Sequence, residues 1–569
     1  MGIAANVISG IGNYNTKFWN INKYKIEINI MEKFLPKIIY NDDTCSLRVM
    51  PKPHSLSQIP KAVEYLKNTQ VGCICWSIAS GDLAYSYHSK FIENAYDMAE
   101  KDGGYSATGN EGNLLLNLHR QGIDYLPTLI NELRKINIAF FASFRMNDIH
   151  FKSEPEGMLA TEFWKQHQEM RLWGVTQHRS YDNAAMDYSY PEVRDNRLNS
   201  ILEVAERYDV DGIELDFCRN PLTFNPDEAW EKREILTDFI RQIRGGIEKI
   251  GNARNRKIKL LIRLPFDENQ RRNAGMEVEE WIKDKLMDIL VMSNYANIYN
   301  IEVEPFLSLC HANDILFYPS VECTPSINSY PSVELPDEVR PPRHNFVVKE
   351  SAEETVIRLR AMAQNFLAQG VDGVYMFNYP CTIFQNYPIS TFPNPMDTGE
   401  LKLRAALLSQ AGSTETLAKK EKEYTFWHEL PIYVEASRPA KYFQTIKFYV
   451  NDEDVLDKNN AITISFHQVV EDNPHAYCKP LSRYAASGYV TYLLNGEILD
   501  ESKFVRIKQL PGRIQSGFVL GEHELVQILV KSCSALQKGW NALGFEIRHT
   551  PVNNDPYIYI YELNLHIEG

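Results

Sequence analysis

Glu214 and Asp216 stand two residues apart in the run Tyr208-Asp209-Val210-Asp211-Gly212-Ile213-Glu214-Leu215-Asp216-Phe217-Cys218-Arg219, which is otherwise apolar enough for a buried strand. That spacing puts both acids on one face of a strand and leaves the apolar residues on the other. Two acids on the inner face of a closed sheet are costly to bury, so they need a partner, a proton or a chemical task. Paired carboxylates suit acid/base work on a glycosidic bond: one protonates the leaving oxygen, the other acts as base or nucleophile. A second strand-like run, Tyr318-Pro319-Ser320-Val321-Glu322, puts Tyr318, Ser320 and Glu322 on a common face. Asp216 is the leading catalytic candidate, Glu322 its partner and Glu214 the reserve.

These acids need a scaffold, and the surrounding sequence describes one. Eight short apolar runs read as strands: Lys37–Asn41, Val71–Ile78, Ile138–Phe144, Gly212–Phe217, Ile258–Leu264, Ile289–Ser293, Ile315–Val321 and Gly373–Asn378. Amphipathic stretches between them read as helices: Ser57–Asn68, Asp124–Lys135, Arg194–Tyr208, Pro226–Ile250, Glu277–Leu286, Val303–Ala312 and Ala352–Gln369. This alternation predicts an α/β fold, a (β/α)8 TIM barrel. A doubly wound open sheet is the alternative, but no GxGxxG or GxxxxGK[ST] follows any strand.

Beyond the barrel the texture changes. Thr445–Val450, Ala461–His467, Tyr489–Leu494, Leu525–Val530, Ala542–His549 and Tyr557–Ile567 alternate with period two, and Asn495-Gly496 supplies a turn. The expected organisation is an N-terminal extension at 1–35, the barrel at 36–411, a linker at 412–424 and an antiparallel β-sandwich at 425–569. Trp540, Tyr557 and Tyr559 of the sandwich are suited either to stacking on a glycan or to its core.

A barrel brings the carboxyl ends of its strands to one mouth, and nearly every predicted strand ends in polar residues. The set that would contact substrate there is Asp42, Asp43, Trp76, Arg145, Asn147, Asp148, His150, Arg219, Arg263, Asn294, Tyr295, Asn378 and Tyr379. Arg145 and Arg263 are more often ion-pair partners that fix carboxylates than direct ligands. Asp211, beside Gly212, reads as a turn residue.

Composition narrows the partners. A net charge of −14 without a dense Lys/Arg block argues against a nucleic-acid backbone. No apolar run reaches the roughly 18 residues of a spanning helix, so no membrane partner is expected. Met1 to Tyr14 lack the features of an export signal. Cys73, Cys75, Cys218, Cys323 and Cys381 fall in or just beyond strands and read as reduced and buried. Cys73-Ile74-Cys75 is not a CxxC pair, so neither a metal nor a cofactor is expected. Nothing in the sequence specifies an oligomeric state.

The chain resembles the bacterial glycosyl-hydrolase-like TIM barrels of the glycoside hydrolase superfamily. The resemblance rests on Tyr208 to Phe217, Phe144-Arg145-Met146-Asn147-Asp148, Cys75-Trp76-Ser77-Ile78-Ala79-Ser80-Gly81-Asp82 and Asn41-Asp42-Asp43, and extends over about 36 to 411. It implies a hydrolase of oligo- or polysaccharides in which the acid of the fourth strand takes part directly. The spacing from Asp211 to Asp216 is similar to that of α-amylase-type barrels, whose last Asp is the nucleophile, but Glu214 stands where they have arginine. Chitinase-type barrels carry Glu where Cys218 stands, and the Asn-Glu of the large glutamate-pair clan is absent. Two other functions fit the same residues: a carbohydrate-binding barrel without turnover, and a metal-dependent hydrolase using Asp42, Asp43, Asp148 and His150.

Overall fold

The computed structural model describes residues 34–48, 50, 54–80, 86–94, 97, 114–147, 160–172, 185–218, 220–293, 303–322, 352–379, 398–426, 430, 432–435, 443–457, 459–471, 490–515, 519–530, 535–547 and 557–569. Within it Pro36–Gly569 forms one compact unit. The extension expected at 1–35 lies, but for Phe34 and Leu35, outside the described residues.

Eight parallel strands close into a barrel in chain order. They are β1 (Ile38–Asp42), β2 (Val71–Ser80), β3 (Ala139–Arg145), β4 (Gly212–Asp216), β5 (Lys259–Pro265), β6 (Ile289–Ser293), β7 (Leu316–Glu322) and β8 (Val374–Phe377). Pairing of Ile38 to Tyr40 with Val374 to Met376 completes the ring. A helix follows each strand: α1 (Ile59–Val63), α2 (Leu126–Lys135), α3 (Pro191–Arg207), α4 (Arg233–Ala253), α5 (Val278–Lys283), α6 (Phe306–Ala312), α7 (Ala352–Leu367) and α8 (Thr398–Leu408). Every residue of β1, β4 and β6 is buried, because helices cover one face and the opposite strands the other.

The barrel interior is filled with side chains. A Cβ placed on Gly212 would lie 2.5 Å from both Cε2 and Cζ of Phe141, so the ring on β3 occupies the space that glycine leaves on β4. Glycine here is a packing requirement, and it seats the strand that carries the two acids.

The C-terminal region forms two facing antiparallel sheets. One contains β10 (Ile432–Glu435), β20 (Tyr557–Ile567), β12 (Ile462–Glu471), β18 (His523–Leu529) and β15 (Phe504–Gln509) in that order, with β9 (Lys422–Phe426) also on β20. The other contains β11 (Phe443–Val450), β19 (Gly539–Ile547), β13 (Val490–Leu494) and β14 (Glu497–Ile498), and a small hairpin joins β16 (Gly512–Arg513) to β17 (Val519–Leu520). Phe466 of the first sheet meets Phe545 of the second edge to face, at 5.3 Å between ring centres.

The segment expected as linker at 412–424 contains the helical turn Thr414–Leu417 and the start of β9. Within it Lys422 is fully buried, with Nζ 2.9 Å from Asp452 and 2.6 Å from Asp454. On α7, Asn365 Nδ2 donates to the Tyr449 carbonyl at 2.8 Å, and its Oδ1 accepts from the Asn451 amide at 2.7 Å. Arg358 of α7 adds an ion pair to Glu423 at 2.6 Å. The seventh barrel helix is therefore bonded directly to the sheets. No described helix is long and apolar enough to cross a membrane.

Candidate active site

β4 delivers its acids inward, as period-two spacing requires. Asp216, at the strand end, is 1% exposed. Arg263 of β5, its register partner, donates from Nη1 to Oδ1 at 3.0 Å and Oδ2 at 3.1 Å, and the Cys218 amide donates to Oδ1 at 2.9 Å. Arg263 Nη2 donates to Ser293 Oγ of β6 at 2.9 Å, and the guanidinium carbon lies 3.8 Å from the centre of the Phe377 ring. This carboxylate is ion-paired and fixed by two groups, the guanidinium and the Cys218 amide.

Glu214 lies two residues deeper, about 6.5 Å along the strand. It is fully buried, and Tyr375 of β8 donates its hydroxyl to Oε1 at 2.6 Å. Burial, followed by the charge of Asp216, raises its pKa to about 7, against the opposing influence of Ser143, Tyr375 and Arg263. Burial and the charge of Glu214 raise Tyr375 well above the usual phenol range, so Tyr375 keeps its proton and donates. The Cys75 thiol is likewise pushed up by burial. Two acids on one strand thus have unlike surroundings: one faces a cation, the other a phenol and a thiol.

Asp43 and Arg145 pair at 3.0 Å across the β1 and β3 ends, and Arg145 sits in register with Asp216. Glu322 closes β7 in register with Phe377, and only its backbone is among the described parts. Asp148, His150, Arg219, Asn294 and Tyr295 lie outside the described residues.

Four expected substrate contacts are placed elsewhere. Asp42 accepts from Ser46 Oγ at 2.5 Å, in the turn that follows β1. Trp76 packs in the layer between barrel and helices and donates Nε1 to the Tyr125 hydroxyl at 3.1 Å, because its even position on β2 points away from the interior shared by Cys75. Asn147 holds loops together: Nδ2 donates to the carbonyls of Met186, at 3.0 Å, and Leu222, while Oδ1 accepts from the Met186 amide at 3.1 Å. Tyr379 meets Tyr40 edge to face at 6.0 Å in the outer core. Asn378 just before it has φ +51, a left-handed turn that breaks the strand's alternation. The Asn378 amide donates to Asn41 Oδ1 at 3.2 Å, tying β8 to β1.

Sequence reasoning did not single out Tyr375, Phe377 or Ser293. Alternation along Val374-Tyr375-Met376-Phe377 was the available signal, since it sets Tyr375 and Phe377 on one face. Cys73, Cys75, Cys218 and Cys310 are buried thiols, as expected for the first three. Asp211 accepts from the Phe140 amide at 2.9 Å and pairs with Arg256, a structural role in keeping with its turn position. In the sandwich, Tyr559 is buried, whereas Trp540 is 40% exposed beside Tyr449, at 5.3 Å between ring centres. The Tyr557 side chain is outside the described parts.

Residues 107–233 match the family described as Glycosyl hydrolase-like 10. The matched segment includes β3 and β4, and with them Arg145, Glu214 and Asp216, so the resemblance drawn from those residues is borne out. No curated protein sequence matches the chain. Among solved structures, α-L-fucosidase isoenzyme 2 from Paenibacillus thiaminolyticus is similar at 10% identity and a TM-score of 0.41, over 68% of this chain and 51% of that one. The chain thus spans about half the length of the fucosidase. The maltogenic α-amylase AmyB from Thermotoga neapolitana gives 12% identity and 0.35, over 90% and 100% of the two chains. A glycoside hydrolase family 18 N-acetylglucosaminidase from Paenibacillus barengoltzii gives 14% and 0.33, over 65% and 99%.

Proposed function

We propose that the protein is a glycoside hydrolase acting on an oligo- or polysaccharide at the carboxyl-terminal mouth of the barrel. The observation that carries this reading is the contrast on β4: Asp216 is held by Arg263, while Glu214 is shifted toward neutrality by burial. Hydrolysis of a glycoside needs an anion beside the developing oxocarbenium ion and an acid beside the leaving oxygen. Asp216 suits the anion. Glu322, at the end of β7, three strands round the ring from β4, is the proposed acid, and Glu214 holds a proton below them. The ion pair of Asp43 and Arg145 at the rim would meet sugar hydroxyls. A carboxyl separation of about 5–5.5 Å would give retention and about 6.5–9.5 Å inversion.

Asp216→Asn tests the assignment on aryl glycosides and oligosaccharides. Turnover should fall by roughly 10²–10⁴-fold with glycan binding kept. Full activity in that variant would exclude Asp216. A second reading, a sugar-binding barrel without turnover, is favoured by the hydrogen bonds already made to both Asp216 oxygens. Glycan binding by the wild type with no hydrolysis of any substrate class would select it.

A further inference from the structure

We propose that Arg263 is a positioning residue for the reaction, acting on substrate only through Asp216; this rests on Asp216 being the reacting carboxylate. Arg263 stood among the expected substrate contacts as well as among the partners of the acids. Its surroundings assign it otherwise. It is fully buried, Nη1 is committed to both oxygens of Asp216 and Nη2 to Ser293 Oγ. The Phe377 ring covers the guanidinium face at 3.8 Å, and the Tyr375 ring lies 5.6 Å away. A fully buried guanidinium whose face is covered and whose two terminal nitrogens already hold Asp216 and Ser293 is directed at the acid and not at a sugar.

The hydrogen bonds also distinguish the two oxygens of Asp216. Among the described residues, Oδ1 accepts from the Cys218 amide and from Arg263, whereas Oδ2 accepts only from Arg263. Oδ2 therefore keeps the lone pair that would face the anomeric carbon. Nη1 of Arg263, bonded to both oxygens, fixes the carboxylate, and Ser293, bonded to Nη2, in turn fixes the guanidinium plane. Misplacing a reacting group by about 1 Å can cost about 10²-fold in rate.

The test is steady-state kinetics of Arg263→Met, Arg263→Lys and Ser293→Ala on an aryl glycoside that the wild type hydrolyses, with thermal melting as the folding control. Arg263→Met should lower kcat by about 10²-fold with KM within about 2-fold, and Arg263→Lys should recover part of the loss. Ser293→Ala keeps every charge in place, so it carries the test should Arg263→Met fail to fold. Its kcat should fall about 3–10-fold at constant KM. A rise in KM with kcat preserved in these variants would make Arg263 a substrate ligand and overturn the proposal. Unchanged kcat in both Ser293→Ala and Arg263→Lys, beside an inactive Asp216→Asn, would also overturn it while leaving the hydrolase reading intact. An active Asp216→Asn would remove the reading beneath it.

Discussion

Tyr375 of β8 reaches across the barrel to Glu214 of β4, the strand diametrically opposite, with a hydrogen bond of 2.6 Å. A bond spanning the interior holds two strands that never pair with each other. It also supplies a donor to that carboxyl, which opposes in part the rise that burial imposes on its pKa.

Glu214 should make stability depend on pH. Its folded pKa is raised from 4.5 to about 7, so between those values the folded chain keeps a proton that the unfolded chain has lost. Stability therefore falls as pH rises through that window and levels off above it. Glu214→Gln removes the titration. The stability difference between variant and wild type should shift by on the order of 3 kcal/mol in favour of the variant from pH 4.5 to 8. Denaturant unfolding at pH 4.5, 6, 7 and 8 measures this, and parallel curves would rule it out.

Gly212→Ala should destabilise the barrel by about 1–3 kcal/mol through overpacking against the Phe141 ring. Phe141→Leu in the same chain should recover part of that loss, because the two positions share one space. A double-mutant cycle in denaturant gives the answer; strict additivity would mean that the ring moves aside freely.

Asn365→Ala removes two buried hydrogen bonds to the β11 end and leaves a carbonyl and an amide without their partner. The expected cost is about 2–4 kcal/mol, read from the midpoint of denaturant unfolding. A change below about 0.5 kcal/mol, the scale of an ordinary surface substitution, would show that α7 and the sheets do not depend on this contact.

His467 of β12 predicts the opposite pH dependence. Burial and the neighbouring His523 lower its pKa from 6.5 to about 4, so it is neutral at pH 7 and its 3.5 Å approach to Glu562 is not an ion pair there. As pH falls from 6.5 to 4, the unfolded chain binds a proton that the folded one refuses, and stability is lost. His467→Gln should reduce that acid loss by on the order of 3 kcal/mol. Melting temperatures at pH 4.5, 5.5 and 7 provide the check, and identical acid sensitivity in both proteins would count against it.

Each barrel strand falls within two residues of its place in the sequence reading, because a strand buried on both faces writes itself as an apolar run between polar breaks. The inward aim of Glu214 and Asp216 was legible for the same reason: their parity is local. Arg263 was legible as an acid partner through its place at the end of β5. Tyr375, Phe377 and Ser293 were not, since contacts across or around the ring join residues distant in sequence. Trp76 and Tyr379 were chosen by residue type where parity, or a left-handed turn at Asn378, decides direction. The burial of Lys422 was not legible in the linker reading of 412–424, because sequence shows its charge and not the two carboxylates that enclose it.

The bonds from Arg358 and Asn365 to the sheets bear on how such a chain can be inherited. A barrel whose seventh helix addresses these groups to a particular side chain and a particular stretch of backbone cannot exchange its appendage like a cassette. Relatives that keep the barrel but carry a different C-terminal piece should have replaced the residues at 358 and 365 together, and the pair becomes a marker of shared descent for the whole two-part architecture.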